Sequence, residues 1–384
     1  MIKGIESITR KITTTLLVLK KSDRAYEAEA KSLLETLGIR RITVHYVKNP
    51  NHKYYMQQDF VKKLANITDG SKPDLIVIYD KLKPWQYYYL RSELRDTEIW
   101  DLVHLILNIF DIHAGSIEAK LQIELLRIKH QIPFVKEYIR FSKLGEQVGF
   151  MGPGAYGYEA LFKSLRRKEA KISEKLREIK KKREIQTIKR KDLGLPTVSI
   201  IGYTSVGKTT LYNTLTGDNK ITGPHLFKTL SPKSKLIYTP CGEMIITDTI
   251  GFIRKMPPEI IDVFHSVISE IKYSDIIILL TDPTDPPEDY LEKLNTSIDI
   301  LGKIGVLEKP IIISLNKKDL VDEKKLRDYK ESTINAMLEN GIEVRDIIDI
   351  SALKRDGINN LLMSLCKNVD HLTLRLKYLW RNIS

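Results

Sequence analysis

Gly202-Tyr203-Thr204-Ser205-Val206-Gly207-Lys208-Thr209 follows directly on the apolar run Thr197–Ile201 (TVSII), and Thr210 to Leu215 then continue with helix-compatible spacing. The string is GxxxxGK[ST] in the strand–loop–helix order that a phosphate-binding loop requires. Gly202 and Gly207 let the chain wrap so that backbone N–H groups face phosphate oxygens, and the helix N-terminus adds its partial positive charge. Lys208 is expected to reach the β- and γ-phosphates, and the Thr209 hydroxyl to ligate Mg²⁺. The bland alternative is a glycine turn before an ordinary helix. At ordinary residue frequencies the pattern arises by chance in on the order of one chain in a hundred.

Three further strings follow in order, each at the expected C-terminal end of a strand, where ligands bind in open α/β sheets. Ile245-Ile-Thr-Asp248 leads into Thr249-Ile250-Gly251, giving DxxG. The Asp248 carboxylate there can hold Mg²⁺ through water, and the Gly251 N–H can meet a γ-phosphate. Ile311–Leu315 closes on Asn316-Lys317-Lys318-Asp319, an NKxD string. Asp319 can accept two guanine N–H donors that adenine does not present together. Lys317 can cover the ring, and Asn316 either ties this loop to the phosphate loop or contacts the base edge. Ile348–Ile350 leads into Ser351-Ala352-Leu353, where the Ala352 N–H can meet the guanine O6. NKxD alone is often a surface turn; the four strings in sequence point to GTP rather than ATP, and an ATP-using P-loop enzyme would leave Asp319 without paired donors.

The Mg²⁺ shell needs one more hydroxyl from the segment between the phosphate loop and Asp248. Thr222 and Thr229 are the candidates, and Thr229 has the better spacing. The expected catalytic groups are therefore Lys208, Thr229 and Gly251, and the expected metal ligands Thr209, Thr229 and Asp248. The nucleotide-binding set is the loop from Gly202 to Thr210, Asp248, Gly251, Asn316, Lys317, Asp319 and Ser351 to Leu353. After Gly251 stands Phe252, where many GTPases have a Gln that orients the attacking water. Slow intrinsic hydrolysis is expected, with the water-positioning group supplied from elsewhere. Arg254 reads as a solvent-exposed residue of the same loop rather than a charge-stabilising group.

The chain around this site has 384 residues, enough for two or three domains, and is 42% hydrophobic and 29% charged. Its longest apolar run, Ile276–Leu280, is far short of a membrane span, and the N-terminus lacks a secretory signal, so a cytoplasmic protein is expected. Cys241 and Cys366 cannot build a disulfide framework or a zinc site. Residues 1–115 alternate strand-like and helix-like segments: strands at Thr14–Leu19, Ile42–Val47 and Leu75–Tyr79, helices at Ala25–Leu37, Asp59–Ile67 and from Pro84. Val103–Phe110 fits either a strand or a buried helix. This alternation predicts a small, mostly parallel α/β domain.

Residues 116–192 change to a helical period. Ile117, Leu121, Leu125, Ile128 and Ile132 form one stripe, expected to stop at Pro133. After a glycine-rich loop, Leu161, Leu165, Ile172, Leu176 and Ile179 form a second, so the two helices are expected to pair as an antiparallel hairpin. Of the formal net charge of +13, the stretch Leu161–Lys191 carries +10, from nine Lys and five Arg against four Glu. Such a run is commonly a solvated helix face, but i,i+4 pairing cannot neutralise this excess, and a polyanionic partner is its functional reading. Residues 193–371 form the nucleotide domain and 372–384 a short tail. The expected class is α/β, with a small parallel N-terminal domain and helical hairpin followed by a P-loop GTPase (Ras-like) α/β domain.

Together these features resemble the HflX family of ribosome-associated GTPases, within the Obg–HflX-like group. Beyond the nucleotide motifs, the likeness rests on Leu105-Ile-Leu-Asn-Ile-Phe110, Glu118-Ala-Lys-Leu-Gln-Ile-Glu-Leu125, Gly152-Pro-Gly154, Arg166-Arg167, Gly202-Tyr-Thr204 and Asp248-Thr-Ile-Gly-Phe-Ile-Arg254, in the family's order. The resemblance implies binding to the large ribosomal subunit, stimulation of GTP hydrolysis there, and ribosomal RNA as the partner of the basic helix. This sequence departs from the pattern at Ala155-Tyr156, where Glu-Thr usually follows Gly-Pro-Gly, and at Ser205, where Asn is usual. The expected protein is a monomeric GTPase using GTP/GDP and Mg²⁺ on the ribosome. The alternative is a nucleotide-dependent switch that docks on a protein, turns over little and makes no RNA contact.

Overall fold

The computed structural model describes residues 12–67, 71–144, 154–192, 194–218, 233–257, 260 and 270–369. Contacts divide the chain into an N-terminal compact unit, residues 1–178 with 257–263, and a C-terminal one, residues 179–256 with 264–384.

In the N-terminal unit, β1 (Thr15–Lys20), β2 (Ile42–Val47), β3 (Leu75–Ile78) and β4 (Glu98–Asp101) form a sheet in the order β2-β1-β3-β4, every pairing parallel. The central strands read TLLVLK and LIVI because a parallel sheet is covered on both faces. Helices α1 (Glu27–Thr36), α2 (Gln58–Ala65), α3 (Pro84–Glu93) and α4 (Leu102–His113) accompany the strands. Val18, Ile76 and Ile78 pack with Val61 and Leu90, all essentially removed from water. Burying each such side chain contributes roughly 1.5–3 kcal/mol. The Val103–Phe110 stretch lies in helix α4, buried along most of its length. The Asp101 side chain accepts from the His104 backbone N–H at 2.9 Å and so caps α4. Burial works to raise this carboxyl, but His130 and His104, with ring nitrogens 2.9 and 3.1 Å from its oxygens, hold it well below the carboxylate range.

The hairpin consists of α5 (Ile117–Lys143) and α6 (Gly154–Asp192). Helix α5 does not stop at Pro133: it runs through that residue for another ten, with Phe134, Val135 and Phe141 buried. Proline forfeits one helical hydrogen bond, and burial on its C-terminal side outweighs that loss. Leu125, Ile128 and Ile132 meet Ile172, flanked by Leu121, Phe162, Leu165 and Leu176. Lys143 pairs with Glu159 at 2.9 Å and Glu124 pairs with Lys168, a descending order that makes the helices antiparallel. Arg167, Lys171, Lys175, Lys180, Lys181 and Lys182 are exposed along α6.

The C-terminal unit is built on a six-stranded sheet, β10-β9-β8-β5-β7-β6. Its strands are β5 (Thr197–Gly202), β6 (Lys233–Thr239), β7 (Gly242–Asp248), β8 (Ile276–Thr281), β9 (Ile311–Leu315) and β10 (Val344–Asp349). All neighbours are parallel except β6, which pairs antiparallel with β7. Helices α7 (Lys208–Thr216), α8 (Pro287–Ile304), α9 (Glu323–Glu339) and α10 (Ile358–Asn368) complete it. Cys241, in the β6–β7 turn, is joined by a disulfide to Cys366 in α10, their Cα atoms 5.7 Å apart. Two cysteines make no framework, but they do make this one bond. Their sequence separation of 125 hides a pairing that only the fold creates.

Candidate nucleotide-binding site

The C-terminal ends of β5, β7, β9 and β10 converge on the segments singled out by sequence. From β5 the chain turns through Tyr203–Gly207 into α7. Gly207 has φ +99°, and a Cβ there would lie 2.3 Å from the Asn316 side-chain nitrogen, so this position requires glycine. Lys208 opens α7, and its buried Nζ donates to the Tyr203 carbonyl at 2.5 Å, curling the side chain back over the loop. Burial pulls the Lys208 ammonium down to about 8, with Asp248 opposing. The Thr209 hydroxyl donates to Asp248 at 3.2 Å, bringing two hard oxygens together across α7 and β7.

The DxxG segment is fastened to the phosphate loop. Phe252 N–H donates to the Gly202 carbonyl at 3.1 Å and Thr204 N–H donates to the Phe252 carbonyl at 2.8 Å. These bonds bring Gly251 so close that a Cβ on it would lie 2.7 Å from the Thr204 methyl and 3.0 Å from Lys208 Nζ. The Phe252 ring is itself buried, so the position points into the protein and not toward a water beside a phosphate.

Arg254 departs from expectation: its side chain is 5% exposed and pairs with Asp289 at 2.5 Å and Glu292 at 3.6 Å. Burial works to lower it, but the two α8 carboxylates prevail and hold it above the ordinary guanidinium value. Its backbone N–H donates to the Tyr203 hydroxyl at 2.7 Å, adding a second strap between the two loops. Neither acidic partner was marked by a sequence motif; the α8 pair Asp289 and Glu292, three apart, was the available signal.

Asn316 is the keystone of the far side. Its Nδ2 donates to the Val206 carbonyl at 2.8 Å, and its Oδ1 accepts from Ala352 N–H at 2.9 Å. One buried side chain therefore ties the phosphate loop to Ser351-Ala352-Leu353, which selects the loop-tying role over base contact. Thr214 donates to the Ala352 carbonyl at 2.7 Å, anchoring that turn to α7. Lys317, with φ +63°, pairs with Asp282. Asp319 is exposed in the turn Lys318–Leu320, Ser351 and Ala352 are buried, and Leu353 is exposed. Ser205, also at positive φ, and Thr210 complete the set. Thr222 and Thr229 lie outside the described residues.

Bringing phosphates to Lys208 requires it charged, whereas the buried side chain holds its proton only to about pH 8. Nucleotide affinity is therefore expected to fall as pH rises through that value, by about fourfold from pH 7 to 8.5, because binding must take up a proton. Titrations of GDP below the pH at which guanine ionises check this. Affinity that stays flat over this range would contradict the assignment.

Three family models match the chain. A 50S ribosome-binding GTPase model matches residues 197–317, a GTP-binding GTPase middle region residues 113–190, and a GTP-binding GTPase N-terminal region residues 24–111. Among relatives, GTPase HflX of Hyperthermus butylicus is 38% identical over 358 residues, covering 91% of this chain and 94% of its own. GTPase HflX of Saccharolobus solfataricus is 39% identical over 354 residues, covering 91% and 96%. The chain belongs to the HflX family of GTPases. A crystal structure of SsGBP in complex with GDP shares 31% identity and a TM-score of 0.53, covering 95% of this chain and 99% of that one. As an HflX-family member the protein binds guanine nucleotide and is a GTPase, and the P-loop α/β architecture is the family's. Among the described residues, no helix is long and apolar enough to cross a membrane.

Proposed function

We propose that this HflX-family GTPase acts on the large ribosomal subunit, with its hairpin on ribosomal RNA and its slow hydrolysis accelerated there. The observation that carries the reading is the row of exposed Lys and Arg on α6, a helix whose apolar side is already occupied by α5. A helix so placed has little left to offer except charge. The match to a 50S ribosome-binding GTPase model supports the same partner.

In the nucleotide domain, Gly202 to Thr210 wrap the phosphates, with Lys208 on the β- and γ-oxygens. Asp319 reads guanine and the Lys317 stem covers the ring; the Ala352 N–H, expected at the guanine O6, is instead taken by Asn316 Oδ1. The Thr209 hydroxyl would ligate Mg²⁺ and the Asp248 carboxylate, 3.2 Å from it, would hold the ion through water. Thr229 would complete that shell, and the Gly251 N–H would meet the γ-phosphate. The working division is 1–115 and 116–192 for partner binding, 193–371 for GTP and 372–384 as tail, in a cytoplasmic monomer.

The second reading, a protein-docking switch with little turnover, is favoured by one feature. The buried Phe252 offers nothing to orient a water.

Salt separates the two readings. Reversing Lys180, Lys181 and Lys182 to Glu is expected to weaken binding to purified large subunits and flatten its dependence on ionic strength by about three in log–log slope. Co-sedimentation across a salt series measures this. Binding that is indifferent both to salt and to these reversals would favour the protein-docking switch.

A further inference from the structure

A surface pocket of about 390 Å³ opens on the N-terminal unit, lined by His52, Lys53, Trp85, Tyr89, Arg140 and Phe141. That volume is within the roughly 300–1,000 Å³ of small-ligand sites. The lining is unusual in kind: three aromatic and three basic side chains, and no acidic one.

Its parts are held in place before any ligand arrives. Trp85 Nε1 donates to the His52 carbonyl at 3.0 Å, and the His52 ring stacks beside the indole at 5.4 Å and 28°. Asn51 Oδ1 accepts from Lys53 and Tyr54 N–H at 2.8 and 3.1 Å, locking the turn that carries Lys53. Phe141 forms a buried floor, stacked on Tyr88 at 4.1 Å. Lys53 Nζ sits 4.4 Å from the centre of the Tyr89 ring. Arg140 is paired with Glu137 at 2.8 Å, so Lys53 and Lys83, whose Nζ lies 5.1 Å from the centre of the Trp85 ring, supply most of the net positive charge. Arg140 and Phe141 belong to the last turn of α5, beside the Lys143–Glu159 pair that joins the two helices at the hairpin's turn end.

Aromatic faces flanked by cations recognise a planar base bearing a phosphate, and stacking accepts any base. We propose that this pocket takes one unpaired RNA nucleotide, its base stacked on Trp85 or Tyr89 and its phosphate against Lys53. The proposal rests on the ribosomal-RNA reading for the source of the nucleotide. It adds to charge a short-range contact that salt does not screen. Basic residues along α6 set affinity through phosphates, while the pocket holds a base.

The test uses the full chain with short oligouridylate and oligoadenylate, with AMP and UMP, and with large ribosomal subunits. Oligonucleotides are expected to quench tryptophan fluorescence in the wild type and not in Trp85→Phe, which keeps a stacking ring. Trp85→Ala and Lys53→Ala are each expected to weaken oligonucleotide and subunit binding, Trp85→Ala by about tenfold. The salt slope in Trp85→Ala stays as in the wild type, and basal GTP turnover is unchanged in every variant. Oligonucleotide affinity unaltered by both alanine variants would overturn the proposal. AMP or UMP binding as tightly as the oligonucleotides would overturn RNA as the occupant in favour of a free nucleotide. Trp85-dependent oligonucleotide binding without any subunit binding would uphold the pocket and sink only the ribosomal reading.

Discussion

Asp319→Asn is expected to lower GTP affinity by about a hundredfold or more and to raise affinity for xanthosine triphosphate. The carboxylate can accept from guanine N1–H and from the exocyclic amine at once. An amide in its place turns an NH₂ donor toward a donor, leaving polar groups unmatched. Xanthine carries an oxygen where guanine carries that amine, so the amide finds a partner there. The structure makes this a clean substitution. Asp319 is exposed in a short turn, and none of the hydrogen bonds or ion pairs among the described residues uses its side chain. The turn is held instead by its backbone, with Lys318 N–H donating to the Ile350 carbonyl at 3.1 Å. Competition of guanine and xanthine nucleotides for the purified variant reads the effect. Unchanged GTP affinity would remove Asp319 from base recognition.

The phosphate-loop half of the site was legible because its chemistry is local. Gly207, Lys208 and Thr209 sit side by side in the chain, and a strand before them and helix after them suffice to aim them. Asn316 was legible only as a choice of two roles, since its partners Val206 and Ala352 are far away in sequence; contact with both settles on tying the loops. Arg254 was misread as exposed because its carboxylates belong to α8, a helix with no motif of its own.

Elements failed where tertiary packing overrides local preference. Pro133 reads as a helix stop, yet burial on both sides carries α5 past it. Strand β4 is only four residues, EIWD, too short to show a period. Edge strand β6, KSKLIYT, has the lysine-marked, half-exposed pattern that discourages pairing with other chains and also hides a strand from a hydrophobic scan. The parallel centres β1, β3, β8 and β9 were plain, because burial on both faces demands near-continuous apolar runs.

The second large effect concerns turnover. With Phe252 buried and Arg254 held by Asp289 and Glu292, neither residue that follows Gly251 in the motif is placed to orient water or to meet developing charge. A site that binds nucleotide through preorganised loops but lacks that group should hydrolyse slowly alone. A partner that supplies one or two oriented donors should then matter greatly, since a single such group is worth about a hundredfold or more in rate. On the proposed reading, the partner to add is the large ribosomal subunit.

The decisive measurement is therefore GTP turnover by the purified protein with and without large ribosomal subunits, at low and moderate salt. The account predicts stimulation of about a hundredfold or more at low salt. It should diminish as salt rises and be largely lost in the Lys180, Lys181 and Lys182 charge-reversal variant with basal turnover intact. Tight GTP binding with no stimulation by the subunit at either salt concentration would contradict it.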